Sequence, residues 1–461
     1  MNFFKVSKYI PLITILSLPA QDVNSQQTHD PFAELEREIE AQEKEGSLAD
    51  IEAFKIWKNT YLSEYQQFRQ QNFQKQDNIR DQLINIWGET DPQKASALIY
   101  YSPDNKSKTI VDYEKNEVRI SVLHDTAQII DSTDVVDVFE EAIKSGDLVN
   151  EANPLPSLQN IESTIRTNTK VLEKKTDFFS NPQRLLEKEI DKIKKQSKTY
   201  KQEVEKIIDM EMLISKSATV EPIVVKQIQS ELKKIDIEER IRIKKLKAAN
   251  SNIDTKKKRE ALKNKKVTTY TMPLRHANFI QKAKLFRVYV SQYAQRWELP
   301  ESLLFSIIHT ESHFNTKAQS SIPAFGLMQI VPTSSGLDVN RFLHSKEEIM
   351  TKEYLFKPVN NIETGIAYMH LLNSKYLAKI SDPQSRLYCM IASYNTGAGN
   401  VARTFNSDNS RNINKAANII NMMTPSDVYK KLISDLPYKE TQQYLEKVVS
   451  RQSIYKSMDN I

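Results

Sequence analysis

The run Leu303-Leu304-Phe305-Ser306-Ile307-Ile308-His309-Thr310-Glu311-Ser312-His313-Phe314-Asn315 decides how the chain is read. Its apolar residues have helical spacing, so Leu304, Ile307, Ile308 and Glu311 fall on one stripe. A carboxylate thus ends an otherwise apolar face. Burying it unpaired is costly unless its pKa rises and it keeps a proton. A carboxyl group protonated near neutral pH is what a general acid requires. His309 and His313 invite a zinc reading, but a zinc helix places Glu directly after the first His. Here Glu311 points roughly opposite the two imidazoles, because two residues turn a helix by about 200°. Histidines that face solvent or sit behind the site are expected instead, with no metal.

Outward from this helix the pattern stays helical. Phe279 to Trp297 carries Ile280, Ala283, Phe286 and Val290 on one face, and Pro300 suits a helix start. Downstream lie Ala324-Phe325-Gly326-Leu327-Met328-Gln329, a helix beginning near Asn361, and an apolar run ending in Tyr394-Asn395-Thr396-Gly397. Glu440-Thr441-Gln442-Gln443-Tyr444 places another aromatic hydroxyl on a helix. A glycine admits close backbone approach to a ligand, and tyrosine and amide side chains suit a sugar and its N-acetyl group.

Upstream the texture changes. Phe32, Leu35 and Ile39 begin a helical stretch that runs to Trp87. Leu98 to Tyr101, Thr109 to Tyr113 and the alternating Val118, Ile120 and Val122 read as strands, the last two forming a hairpin. Val135, Val136, Phe139 and Ile143 make a helical stripe closed at Ser145-Gly146. After Asn153-Pro154-Leu155-Pro156, a Lys- and Glu-rich helical section is expected through Lys266. Its basic cluster, Lys256 to Arg259 with Lys263, Lys265 and Lys266, is either a solvated face or a contact for anionic envelope polymer or lipid heads. Val267 to Met272 is β-prone and is placed as a strand returning to the upstream sheet.

The 461 residues suffice for two domains. With 39% hydrophobic and 27% charged residues the chain is globular, and a net charge of +6 is too small to argue for nucleic acid. Cys389 is the only cysteine, which excludes an intramolecular disulfide and a Cys-based metal site, and its apolar setting predicts a buried thiol. Lys5 and Lys8 precede an apolar run from Tyr9 to Leu18, too short to span a bilayer; residues 1–20 read as an export signal.

Four ordered motifs then stand out: Glu311-Ser312, Gly326 to Gln329, Tyr394 to Gly397 and Glu440 to Tyr444. Together they resemble the catalytic domain of the soluble-type lytic murein transglycosylases. The wording at Asn361 to Tyr368 and at Ala417 to Pro425 is closest to the membrane-bound lytic murein transglycosylase C subfamily. The chain departs from that subfamily in lacking a lipid-attachment cysteine near its start and in the length of its Lys-rich helices. The resemblance implies a mainly α protein: a lysozyme-like helical domain over 273–461, preceded by a smaller α/β domain with long charged helices over 21–272. It implies non-hydrolytic cleavage of the bond between N-acetylmuramic acid and N-acetylglucosamine in peptidoglycan, leaving 1,6-anhydromuramoyl ends. Glu311 would be the catalytic acid and then base. Ser312, Met328, Gln329, Tyr394, Asn395 and Tyr444 would line the substrate groove, with no cofactor. Glycan strands would be the main partner, beside cell-wall synthesis or membrane proteins, in the periplasm or at the outer membrane. Two other readings stay open, a hydrolytic muramidase and an inactive glycan-binding scaffold. Hydrolysis uses two carboxyl groups about 5–9.5 Å apart. No Asp or Glu occurs between Ser312 and Leu337, Asp338 being the first.

Overall fold

The computed structural model describes residues 66–459, apart from 85, 89, 92–93, 147, 149–169, 176–181, 215–221, 252–259, 261–263, 275–278, 321–323 and 347. The export signal, the part of the expected helical stretch from Phe32 to residue 65, and the cluster Lys256 to Arg259 lie outside the described residues; the rest of that stretch is helical over 66–84. Residues 51–461 form one compact unit. Among the described residues the protein is mainly α with one five-stranded antiparallel sheet.

Helix α1 (66–84) leads into strands β1 (Ala97–Tyr101), β2 (Ser107–Asp112) and β3 (Glu117–Asp125), then α2 (Ser132–Lys144). Strand β4 (Lys170–Lys175), the helices α3 (Pro182–Ile214) and α4 (Pro222–Ser251), and β5 (Lys265–Pro273) follow. The sheet order is β1-β2-β3-β5-β4. Val267 to Met272 does return to the sheet, and β5 pairs with β3 in the register Ile120 to Tyr270. One face is covered by α2, whose Val135, Phe139 and Ala142 pack with Val111, Val118, Ile120 and Met272. Asp131 caps α2 by accepting from the N–H groups of Thr133 and Asp134.

The Lys-rich section is not wholly helical as expected. Lys170–Lys175 is an edge strand on β5. Its composition is that of a solvated helix face, but an edge strand tolerates lysines because one backbone side and one face stay wet. The helices of this section are tied by buried charge: Arg69, fully buried on α1, donates to Glu231 at 2.6 Å and Glu238 at 2.8 Å on α4. Tyr200 of α3 accepts from Asn72 and meets Phe73 edge to face.

From Phe279 the chain is helical: α5 (Phe279–Arg296), α6 (Glu301–Ser312), α7 (Ser335–His344), α8 (Lys352–Leu355), α9 (Pro358–Leu371), α10 (Pro383–Thr396), α11 (Ala398–Phe405), α12 (Ile413–Ile420), α13 (Pro425–Asp435) and α14 (Lys439–Tyr455). Their apolar residues make one core around α6. Residues Ser302 to His309 of α6 are all buried, which fits a helix that is apolar on every side. Pro300 offers no capping side chain. Asp459 replaces it, accepting from the Ser302 N–H at 2.7 Å and the Ser302 hydroxyl at 2.6 Å. At the other end His313 and Phe314 both take left-handed backbone, so the chain turns sharply just after Glu311. Among the described residues no helix is long and apolar enough to cross a membrane.

Candidate active site

Glu311 occupies the last turn of α6, where the rigid core helix meets that turn. Protein surrounds its carboxyl group, while part of the residue remains open to solvent. Burial pushes its pKa up to about 7; Tyr444 opposes this by donating to Oε1 at 2.7 Å. Glu440 raises the value further and Lys206 lowers it. Oε2 carries no partner among the described residues. In the protonated state the tyrosine hydroxyl fills the Oε1 side, which leaves Oε2 to hold the proton and present it.

Tyr394 and Tyr444 gather at this carboxyl group. Both are buried, and the Glu311 charge raises both phenols well above their ordinary value, after the larger effect of burial. Tyr394 donates to the Met328 carbonyl at 2.8 Å. That ties the end of α10 to the Gly326–Gln329 segment. Asn395, next to Tyr394, accepts from Thr441 at 2.7 Å, which orients its amide and leaves the NH2 group without a partner among the described residues.

The Gly326–Gln329 turn is held from behind by Asn361 on α9. Its Oδ1 accepts from the Met328 N–H at 2.7 Å, and its Nδ2 donates to the carbonyls of Phe325 and Leu355 at 2.7 and 2.8 Å. Gly326 has φ +74°, and a Cβ there would lie 2.4 Å from Asn361 Nδ2 and 2.6 Å from the Leu355 carbonyl. Gly326→Ala is therefore expected to destabilise the fold by about 2–4 kcal/mol, from left-handed backbone strain plus the steric clash. A urea unfolding midpoint measures it.

The six residues placed in the groove by resemblance take different positions. Tyr444 bonds Glu311, and Tyr394 lies near enough to feel its charge. Asn395 is half-buried and presents its amide. Ser312 is fully buried and its hydroxyl returns to the Ile308 carbonyl at 3.1 Å, the bond of a helix-end serine. Met328 is also fully buried; its sulfur packs on Gly365, where any Cβ would come within 2.3 Å. The backbone of Met328, held by Asn361 and Tyr394, is what this residue contributes to the turn. Gln329, at φ 48°, donates to the carbonyls of Ala318 and Gly326.

The histidines do not face solvent. His309 is 3% exposed, stacks on Phe279 with ring centroids 3.9 Å apart, and shares a 2.9 Å hydrogen bond with Tyr455. Burial, with Arg451 nearby, lowers its pKa to about 2, and burial lowers that of His313 to about 3. Both are neutral aromatic members of the core behind the site. The apolar positions around them explain this: once α6 is buried on all sides, no face remains for a wet imidazole.

Three contributors were not singled out from the sequence for a role here. In the sequence Asn361 marks a helix start and belongs to the stretch that resembles the subfamily, and Thr441 is one position of its motif. Lys206 belongs to the charged helix α3, more than a hundred residues upstream. Ser334 donates to Glu203 of α3 at 2.6 Å, Lys206 pairs with Glu203 at 2.8 Å, and Arg411 pairs with Glu205 at 3.2 Å. The bonds from Ser334 and Arg411 hold α3 against the helical core, the Lys206–Glu203 pair lies within α3, and Lys206 acts on both Glu311 and Asp338. Asp338, hydrogen-bonded by Tyr376 at 3.3 Å, is also pushed up to about 7 by burial.

Residues 288–417 match the Transglycosylase SLT domain. That span includes Glu311, the Gly326–Gln329 turn and Tyr394. A stretch of 167 residues is 46% identical to the membrane-bound lytic murein transglycosylase C of Klebsiella pneumoniae, covering 36% of this chain and 45% of that protein. The protein of the same name from Salmonella arizonae is 44% identical over the same length and shares. The match thus spans less than half the length of these curated relatives. The 70 kDa soluble lytic transglycosylase of Escherichia coli aligns over 40% of this chain and 26% of that one, with 20% identity and a TM-score of 0.30.

Proposed function

We propose that a chain with a Transglycosylase SLT match over 288–417 and a carboxyl group poised at about 7 is a peptidoglycan lytic transglycosylase. The observation that carries this reading is the Glu311–Tyr444 pair, an acid kept protonated near neutrality with one oxygen fixed and the other open. In this reading 273–461 is a lysozyme-like catalytic domain and 21–272 an α/β region with charged helices that lean on it.

Glu311 gives its proton to the glycosidic oxygen between N-acetylmuramic acid and N-acetylglucosamine as the C–O bond breaks. The carboxylate then takes the proton of the muramoyl 6-hydroxyl, whose oxygen closes onto the anomeric carbon. One bond breaks, one forms, no water is consumed, and Glu311 returns to its starting state. Tyr444 supports the anionic stage through its hydrogen bond. Asn395 is suited to an N-acetyl group by its open amide, and Gln329 and Ser312 support the turn and helix end that shape the groove. The curated relatives are named membrane-bound, which supports a location at the cell envelope, in the periplasm or on the outer membrane.

A hydrolytic muramidase is the second reading, favoured only by Asp338, the other carboxyl group raised to about 7. Digestion in heavy-oxygen water tests the choice. Transglycosylation leaves muramoyl ends free of solvent oxygen. Incorporation of one heavy oxygen per new end would establish hydrolysis and overturn the proposal.

A further inference from the structure

A cavity of about 700 Å³ lies between the sheet, the charged helices and the segment Lys317–Gln319. Its volume is in the range of sites for small molecules and short peptides. Seven lysine and arginine side chains line it against three carboxylates, so its wall is strongly cationic. The arginines and Lys192 have acid partners, but Lys75 and Lys195 are exposed and make no ion pair among the described residues. Arg242, 6% exposed, stacks on Phe73, spends Nε and Nη2 on Asp77 and Gln196, and leaves Nη1 buried without an acceptor. A buried guanidinium nitrogen without a partner is costly unless an anion supplies one. The remaining wall is apolar at Ile79, Leu83 and Leu98, and the edge strand β1 forms part of it. A bare inorganic anion has no use for that wall. An extended peptide does, since an edge strand offers main-chain hydrogen bonds and its side chains offer apolar contact.

We propose that this cavity binds the carboxylate-bearing stem peptide of peptidoglycan, beside the glycan groove. The identity of the ligand rests on the transglycosylase reading; the anionic, peptidic chemistry rests on the cavity. Lys317–Gln319 joins the two sites. Ala318 between them accepts from the Gly326 N–H at 2.8 Å and from Gln329 Nε2 at 3.1 Å, so the cavity wall continues directly into the active-site turn. A peptide seated there would hold its glycan strand next to Glu311.

Calorimetric titration of the full chain with a synthetic stem tetrapeptide tests this, with the same peptide amidated at its carboxylates and inorganic phosphate as separate arms. Wild type is expected to bind the free-carboxylate peptide, and amidation to weaken binding at least tenfold. The double substitution Lys75→Gln with Lys195→Gln, both at exposed positions, is expected to weaken it at least tenfold too. That variant should cleave peptide-free glycan at the wild-type rate. Arg242→Gln should behave likewise where circular dichroism shows it folded; the double variant decides the matter where it is not. Glu311→Gln should bind the peptide as wild type does, so a failure of the catalytic reading leaves this test standing. No binding, equal binding of the amidated peptide, undiminished binding by the double variant, or binding of phosphate alone would each overturn the proposal.

Discussion

Glu311→Gln is expected to lower glycan cleavage by about 10³–10⁴-fold while the far-UV circular dichroism spectrum stays that of wild type. The size follows from the two roles assigned to one group. Gln neither donates the proton that the leaving oxygen needs nor accepts the one from the 6-hydroxyl. It keeps the shape, and Tyr444 can still donate to its amide oxygen, so neither the helix end nor the cluster of tyrosines loses its support. A merely structural acid at this position would give a variant that retains most of its activity.

The second large effect is on stability, and it has the opposite sign. The folded pKa of Glu311, about 7, lies above its ordinary value of 4.5. The native state therefore holds the proton more tightly than the unfolded chain. Below pH 4.5 both states are protonated and the group costs nothing. Between that value and about 7 the wild type progressively loses stability as the unfolded chain ionises first, and above 7 the whole penalty is present. The difference corresponds to roughly 3 kcal/mol, less what the partial solvent access of the residue relieves. Glu311→Gln removes the penalty. Its melting temperature should exceed that of wild type at pH 8 and approach it near pH 4, in matched thermal scans. The pH profile of kcat/KM reports the same ionisation, flat below about 7 and falling about tenfold per unit above it, because only the protonated form can begin the reaction. Equal melting temperatures at both pH values would mean that Glu311 is not held in its acid form by the fold.

The apolar stripe ending in Glu311 was readable because a helix period and a misplaced charge are local facts. The hairpin at β2 and β3 and the return of β5 were readable for the same reason, through alternation and β-branched residues. Lys170–Lys175 was not, since the residues that make it a strand belong to its neighbour β5. For the histidines the two expectations, solvent-facing or behind the site, stayed open because periodicity fixes which residues share a helix face, not how many faces the fold buries; the second is the one found. Met328 and Ser312 belong to motifs, yet both side chains are wholly interior. Asn361 and Lys206 act through contacts 33 residues away in one case and from a different helix layer in the other, and composition carries no trace of either.

The most direct measurement is mass spectrometry of the ends produced when purified peptidoglycan is digested by wild type and by Glu311→Gln side by side. Wild type is expected to release fragments ending in 1,6-anhydromuramoyl groups, one water lighter than a reducing end, and Glu311→Gln to release almost none. Reducing ends from wild type, or anhydro ends from Glu311→Gln at the wild-type rate, would contradict this.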